Sequence, residues 1–202
     1  MRPFPQPLTG LGAPLLIDNI DTDTIIPSRE MRSTGRAGLS AGLFAPWRYL
    51  DADARTEDPD FILNDPRYRN CALLLGGANF GCGSSREHAV WALAEWGVDC
   101  IIAESFAPIF RNNCITNGIL PITASHDEIA ALGNRLVEVD LGACEVRCDE
   151  QAFSFTIEAE AKQMLAQGLD AIDLTLTGQN EINDWIHADR AKRPWVYLEH
   201  TP

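Results

Sequence analysis

The 202-residue sequence contains no apolar run approaching the ~20 residues that a membrane-spanning helix needs. Its opening stretch, MRPFPQPLTGLG, lacks the apolar middle of a secretory signal. A cytoplasmic protein with no membrane partner is expected. Positive charge is scarce: 16 Lys and Arg stand against 29 Asp and Glu, for a formal net charge of -13. Nucleic-acid phosphates would be repelled by such a chain, which excludes DNA and RNA as partners. A small anion is not excluded, because a local arginine cluster can hold one against the global sign. No pair among the six cysteines has the C-x-x-C spacing; Cys144 and Cys148 in CEVRC come nearest. Ligand spacings for zinc or an iron–sulfur cluster are missing, so the thiols read as reduced, several of them buried, with no metal held by this chain. Repeats and low-complexity tracts are absent as well.

What is present is the pattern of an α/β protein, expected as a single compact domain over residues 1–202. Residues 15–26, LLIDNIDTDTII, read as two short apolar runs flanking an acidic turn. Residues 28–70 are rich in Gly, Pro, Arg and Asp, a long excursion with little helix, and such excursions tend to be functional. The apolar runs 71–77, 98–104 and 119–123 read as buried strands. Between them lie helical spacings at 86–96, stopped by Gly97, and at 105–118. Strand and helix in alternation predict parallel strands with right-handed crossovers. Beyond residue 126 a helix, a meander of three short strands and two late helices follow, giving mixed α and β overall.

The run GGANFGCGSSREHAVWALAEWG, residues 76–97, joins the first of those strands to the first helix, where free backbone N–H groups and the positive end of the helix dipole favour an anion. Three known patterns fail on the letters. Cys82 stands where a phosphate-binding loop needs Lys, Arg86 breaks the dinucleotide pattern, and neither serine sits in G-x-S-x-G. A structural reading remains, with Ser84 capping the helix and Glu87 completing a capping box. It leaves Gly77, Gly81 and Gly83 unexplained, together with an arginine in the first turn, where a cation opposes the dipole unless an anion lies beside it. Both readings stand on these residues alone. His88, one turn after Ser84, reads as a supporting or core histidine, and Asp21 as structural.

NFGCGSSREHAVWAL at 79–93 closely resembles the signature of the swivelling domain of the aconitase superfamily. Five further blocks extend the likeness to the small-subunit family of the 3-isopropylmalate dehydratases: DNIDTDTIIP (18–27), LFAPWRYLD (43–51), DFILNDPRYRN (60–70), SFAPIFRNNCITNGILPI (105–122) and GLDAIDLTLTGQNEI (168–182). The resemblance implies a swivel-domain fold, with short parallel strands and βαβ crossovers beside a mixed, barrel-like β part. It implies a hydro-lyase of leucine biosynthesis that moves a hydroxyl between neighbouring carbons of a dicarboxylate by dehydration and rehydration. The [4Fe-4S] cluster would come from a large subunit, as an obligate heterodimer or heterotetramer with the active site between the chains.

By the same resemblance Ser84 matches the base that acts as an alkoxide, Arg86 the arginine that pairs a substrate carboxylate, and Asp23 a further active-site position. Ser85, Gly83 and Arg36 match substrate-binding positions. Residues 28–39, SREMRSTGRAGL, depart from the aromatic-Leu-Lys run usual there, with Glu30 beside Arg29 and Arg32. That leaves another substituted malate, as in homoaconitase-like or methylmalate enzymes, as the alternative substrate, and a non-catalytic anion-binding module as the alternative of a different class.

Overall fold

The computed structural model describes residues 1–31, 35–51 and 53–197. Its strands are β1 (Leu8–Leu15), β2 (Tyr49–Asp51), β3 (Thr56–Glu57), β4 (Leu73–Gly76), β5 (Cys100–Ala103), β6 (Leu120–Thr123), β7 (Leu136–Asp140), β8 (Glu145–Cys148) and β9 (Gln151–Ser154). Its helices are α1 (Thr22–Ile25), α2 (Ala45–Arg48), α3 (Glu87–Trp96), α4 (Pro108–Thr116), α5 (His126–Leu132), α6 (Ala159–Gln167), α7 (Ala171–Leu176) and α8 (Gln179–Lys192). Seven strands form one sheet in the order β6-β5-β4-β1-β7-β8-β9, with β2 and β3 as a separate hairpin.

The two halves of the sheet obey different rules. β1, β4, β5 and β6 are parallel neighbours, whereas β7, β8 and β9 form an antiparallel meander. The parallel strands are covered on both faces, which is why they read as unbroken apolar runs. In β4, Leu74 joins one core while Leu73 and Leu75 join the other; in β5, Ile101 and Ala103 face the first core while Cys100 and Ile102 face the second. On the first face lie α3, through Ala89, Val90, Leu93 and Trp96, and α4, through Phe110 and Cys114. On the second lie α5, through Ile129 and Leu132, and α6, through Leu165. β7 and β8 bury only alternate residues, the signature of a strand with one wet face.

β1 was not predicted as a strand, because Gly10, Gly12 and Pro14 are poor strand formers. It is the strand that joins the two halves. Leu8–Leu11 pair antiparallel with β7, and Gly12–Leu15 pair parallel with β4. Each awkward residue has a local reason. A Cβ on Gly12 would lie 2.6 Å from the Leu132 carbonyl oxygen and 3.1 Å from Leu75 Cδ1. Pro14 sits in the half of β1 that has a paired strand on one side only, where a missing N–H is tolerated. α7 was missed too, as were the short α1, α2, β2 and β3; the start of α7 is marked by Asp170, which accepts from the N–H groups of Ile172 and Asp173.

Gly12→Ala is expected to cost about 1–3 kcal/mol through this overpacking. Gly10→Ala, whose Cβ meets only ordinary contacts at 3.8 Å, is expected to be neutral or mildly stabilising. Urea unfolding of the two variants checks the difference; equal midpoints would contradict it.

Candidate active site

The loops that leave β1, β4 and β5 at their C-terminal ends are zipped together beyond the edge of the sheet. The Asn19 N–H donates to the Ala78 carbonyl at 2.8 Å, the Gly81 N–H to Ile20 at 2.7 Å and the Thr22 N–H to Cys82 at 2.9 Å, which continues the parallel pairing of β1 with β4. Phe80 N–H donates to Ser105 and Ala107 N–H to Phe80, which ties in the third loop. The glycines make this approach possible, but their space is filled by the chain itself. A Cβ on Gly77 would meet Asp18 Oδ1 at 2.4 Å, and one on Gly81 (φ +75°) the Phe110 ring at 2.0 Å. Gly83 (φ +87°) turns the chain outward above Asp21.

The capping box expected at Ser84 and Glu87 does not form. α3 starts at Glu87 with Arg86 as its cap residue, in extended backbone and without a side-chain cap bond. Gly83 carries the chain outward first, so both serines precede the helix. Glu87 instead accepts from Asn117 Nδ2 at 2.8 Å, and Asn117 Oδ1 accepts from the Trp91 indole at 3.0 Å. Ser84 and Ser85 are exposed, and neither hydroxyl has a hydrogen-bond partner among the described residues. The Ser84 backbone is held nonetheless: its carbonyl accepts from Thr22 Oγ1 at 2.8 Å.

Arg86 reaches across to Asp23, and the two form an ion pair with the arginine side chain largely covered and the aspartate half exposed. Asp23 lies in the first turn of α1, whose cap is Asp21; the Asp21 carboxylate accepts from the Thr24 N–H at 2.6 Å. Asp21 is thus structural, as read from the sequence, and Asp23 is left to face Arg86. Gly83, Ser84, Ser85 and Arg86 with Thr22 line one wall of a pocket of about 210 Å³; Ala107, Pro108, Ile109, Phe110 and Asn113 of the α4 region line the other. One wall is polar and carries a cation, and the other is mostly apolar. The pocket is smaller than the ~300–1,000 Å³ of sites for drug-sized ligands, which suits a small acid.

Arg36 lies elsewhere. Its guanidinium sits over the Trp91 ring, 4.8 Å from the centroid, and neither residue lines the pocket. His88 packs its ring on Trp91 at 4.7 Å, as a supporting residue. Glu30, read as part of a substrate loop, turns inward: its largely covered carboxylate pairs with Arg55 at 2.5 Å, and its Cβ occupies the space that a side chain at Gly42 would need. Arg32 lies outside the described residues. Thr22 and Asn113 were missed. Thr22 could have been suspected from its place between Asp21 and Asp23; nothing local marks Asn113.

The cysteines do not assemble into a ligand set. All six are free thiols, and no group of three or more His, Cys, Asp or Glu among the described residues could hold a metal ion. Burial pushes the Cys71 thiol up to about 11 and those of Cys100 and Cys114 further still. No helix among the described residues is long and apolar enough to cross a membrane.

The aconitase C-terminal domain family matches residues 4–127. Over 98% of this chain and 100% of its own length, the 3-isopropylmalate dehydratase small subunit of Cupriavidus necator is 49% identical. That of Rhizobium meliloti is 46% identical over 94% of this chain and 97% of its own. The crystal structure of 3-isopropylmalate dehydratase from Methanocaldococcus jannaschii superposes with a TM-score of 0.67 at 29% identity, covering 89% of this chain and 98% of that one.

At pH 8 iodoacetamide is expected to modify the partly exposed Cys82 and Cys144 in the native protein, while Cys71, Cys100 and Cys114 react only on unfolding, since the thiolate is the nucleophile. Peptide mapping after brief labelling checks this; native labelling of Cys100 or Cys114 at the Cys82 rate would contradict it.

Proposed function

The chain belongs to the family of 3-isopropylmalate dehydratase small subunits, within the aconitase C-terminal domain family, and from that membership we propose that its pocket is one half of a hydro-lyase active site completed by a large subunit. The reaction interconverts 2-isopropylmalate and 3-isopropylmalate in leucine biosynthesis. In such an enzyme a [4Fe-4S] cluster supplies a Lewis acid for the departing hydroxyl. This chain's scattered and mostly buried thiols do not fit that cluster, so it belongs to the large subunit.

What this chain contributes is a base, a carboxylate clamp and an apolar wall. Ser84 Oγ takes the proton from the carbon next to a substrate carboxylate, and the C–H electron pair becomes the new C=C bond as hydroxide leaves the neighbouring carbon. In the return step Ser84 gives the proton to the carbon that lost the hydroxyl, and hydroxide adds to the carbon that lost the proton. A serine hydroxyl at its ordinary acidity is far too weak an acid to be an alkoxide near neutral pH, so the reading requires positive potential at Ser84. Arg86 and the free N–H groups at the start of α3 are the sources this chain offers. Arg86 presents a planar fork to one substrate carboxylate, which takes over its pairing from Asp23, and Asp23 holds the guanidinium in place between turnovers. Ser85 and the Gly83 backbone add donors, and Pro108 and Ile109 offer the substrate's alkyl group an apolar surface. Glu30 supports isopropylmalate over a more polar malate: it is turned away from the pocket and clamped to Arg55, so the departure in that loop brings no carboxylate to the site. The observation that carries the reading is Ser84, which lines the pocket beside Arg86 and whose exposed hydroxyl has no partner among the described residues, with Asp23 just outside the pocket paired to Arg86.

The chain alone is expected to be inactive, with turnover appearing on addition of the large subunit. In the reconstituted pair Ser84→Ala should lower kcat about 10²–10⁴-fold, the usual contribution of a positioned acid–base group. Arg86→Lys should raise KM about 10–100-fold, the loss of a charge-assisted hydrogen bond. Steady-state kinetics on both isomers decides, and near-normal turnover by Ser84→Ala would remove the base assignment.

A further inference from the structure

A second concavity, of about 730 Å³, opens on the same edge of the sheet as the serine pocket. Its floor comes from Leu16 and Ile17, which leave the C-terminal end of β1, and from Trp47, Leu50, Phe61 and Ile62 around the β2–β3 hairpin. Three of these are large apolar side chains left in water, Leu16 at 43%, Ile17 at 46% and Leu50 at 68% exposure. A contiguous apolar surface of this kind on a folded chain marks a contact site. The rim has one sign of charge. Asp58 and Asp60 line it, and neither carboxylate has a cationic partner among the described residues; Asp58 only accepts the Asp60 N–H at 3.0 Å.

The groove and the serine pocket share no lining residue, but the segment that follows Ile17 ties them to one ribbon of paired loops. The position of a Cβ on Gly77, in the glycine loop, is 2.7 Å from the carbonyl oxygen of Ile17, and Asp18, the next residue, accepts from the Ala78 N–H at 2.7 Å. Ile17 and Thr22 stand at the two ends of that ribbon, with Thr22 holding the Ser84 carbonyl, so a partner that covers Ser84 and Arg86 and extends along the ribbon reaches Ile17. The serine pocket by itself offers little of the ~800 Å² that a specific interface buries on each partner. The groove supplies apolar area to make up the difference, and its unpaired aspartates match a partner bearing positive charge.

We propose that this groove docks the large subunit, through a segment of that subunit that carries apolar side chains flanked by lysine or arginine. The proposal rests on the reading that a large subunit completes the site, and its test measures binding rather than turnover, so the two can fail separately. The full chain, immobilised or labelled, is titrated with the purified large subunit, and self-association of the chain is followed by sedimentation. Leu50→Arg should weaken binding at least tenfold, because it places a cation where the partner is apolar and basic. Asp60→Lys should weaken it several-fold and flatten its salt dependence. Leu136→Arg, an equally exposed apolar position on β7, should leave the affinity unchanged. Ser84→Ala should bind like the wild type whatever its activity. Unchanged affinity in both Leu50→Arg and Asp60→Lys would overturn the proposal. So would equal weakening by Leu136→Arg, or a groove variant that abolishes self-association of the chain while binding the large subunit normally, which would assign the groove to a second copy. A wild-type chain that fails to bind the large subunit would instead overturn the reading on which the proposal rests.

Discussion

The parallel register between β1 and β4 fixes where every group of the candidate site stands. Gly12 is opposite Leu73 and Leu15 opposite Gly76, and after a local break at Asn19 the same register resumes in the loops, with Asp21 opposite Cys82. Residues more than sixty apart in sequence are placed by it: Thr22 under the Ser84 carbonyl, Asp23 against Arg86. A slip of one residue would exchange the two faces of β1 and separate both contacts. The burial of both faces of β4 and β5 holds the frame against which β1 is placed, so the hydrophobic core positions a polar site some distance from it.

Electrostatics bear on the proposal that this chain is half of a site. The loops that meet there carry Asp18, Asp21 and Asp23 and one arginine, Arg86. Asp18 and Asp21 are satisfied by backbone N–H groups, and Asp23 by Arg86 itself. A dicarboxylate arriving at this surface finds one guanidinium, already paired. Coulomb attraction at close range can draw that guanidinium to a substrate carboxylate, and among the described residues no second cation lines the pocket to meet the other carboxylate. Arg36, stacked on Trp91, is not available to the pocket as it stands.

The legible parts of the sequence were those where one local rule governed. Continuous apolar runs with Gly stops gave β4, β5 and β6 and the helices between them, because burial on both faces leaves no ambiguity of pattern. The candidate site residues were legible only through the family motif: nothing in the letters of Ser84 or Asp23 says that they meet. β1 was illegible because its sequence answers to neighbours far along the chain. Gly12 is glycine on account of Leu132, and no pattern within residues 8–15 contains that fact. The capping box at Ser84 misled for a related reason. Its spacing was correct, but Gly83 and the hydrogen bond from Thr22 pull the serines off the helix axis, so the chain begins α3 two residues later than propensity alone would choose.

The glycine loop shows how a flexible composition yields a rigid support. Glycine gives up more backbone freedom on folding than any other residue, about 0.5–1 kcal/mol each relative to alanine. Here that cost is offset by what the missing side chains admit. Phe80 folds back over Gly76, the Phe110 ring lies against Gly81, and the Phe80 and Phe110 rings pack at 5.6 Å, all within the buried core. Around Phe80 and Gly81 the loop is therefore built like an interior, while Asn79 and the turn at Gly83 reach the surface. A base needs its oxygen held near one position while the proton moves, and a loop anchored by two buried rings does that better than one held by surface hydrogen bonds. The same rigidity limits what the loop can discriminate. On the proposed function, a loop anchored in this way would leave selection among substituted malates to the opposite wall at Pro108 and Ile109 and to the surface of the large subunit.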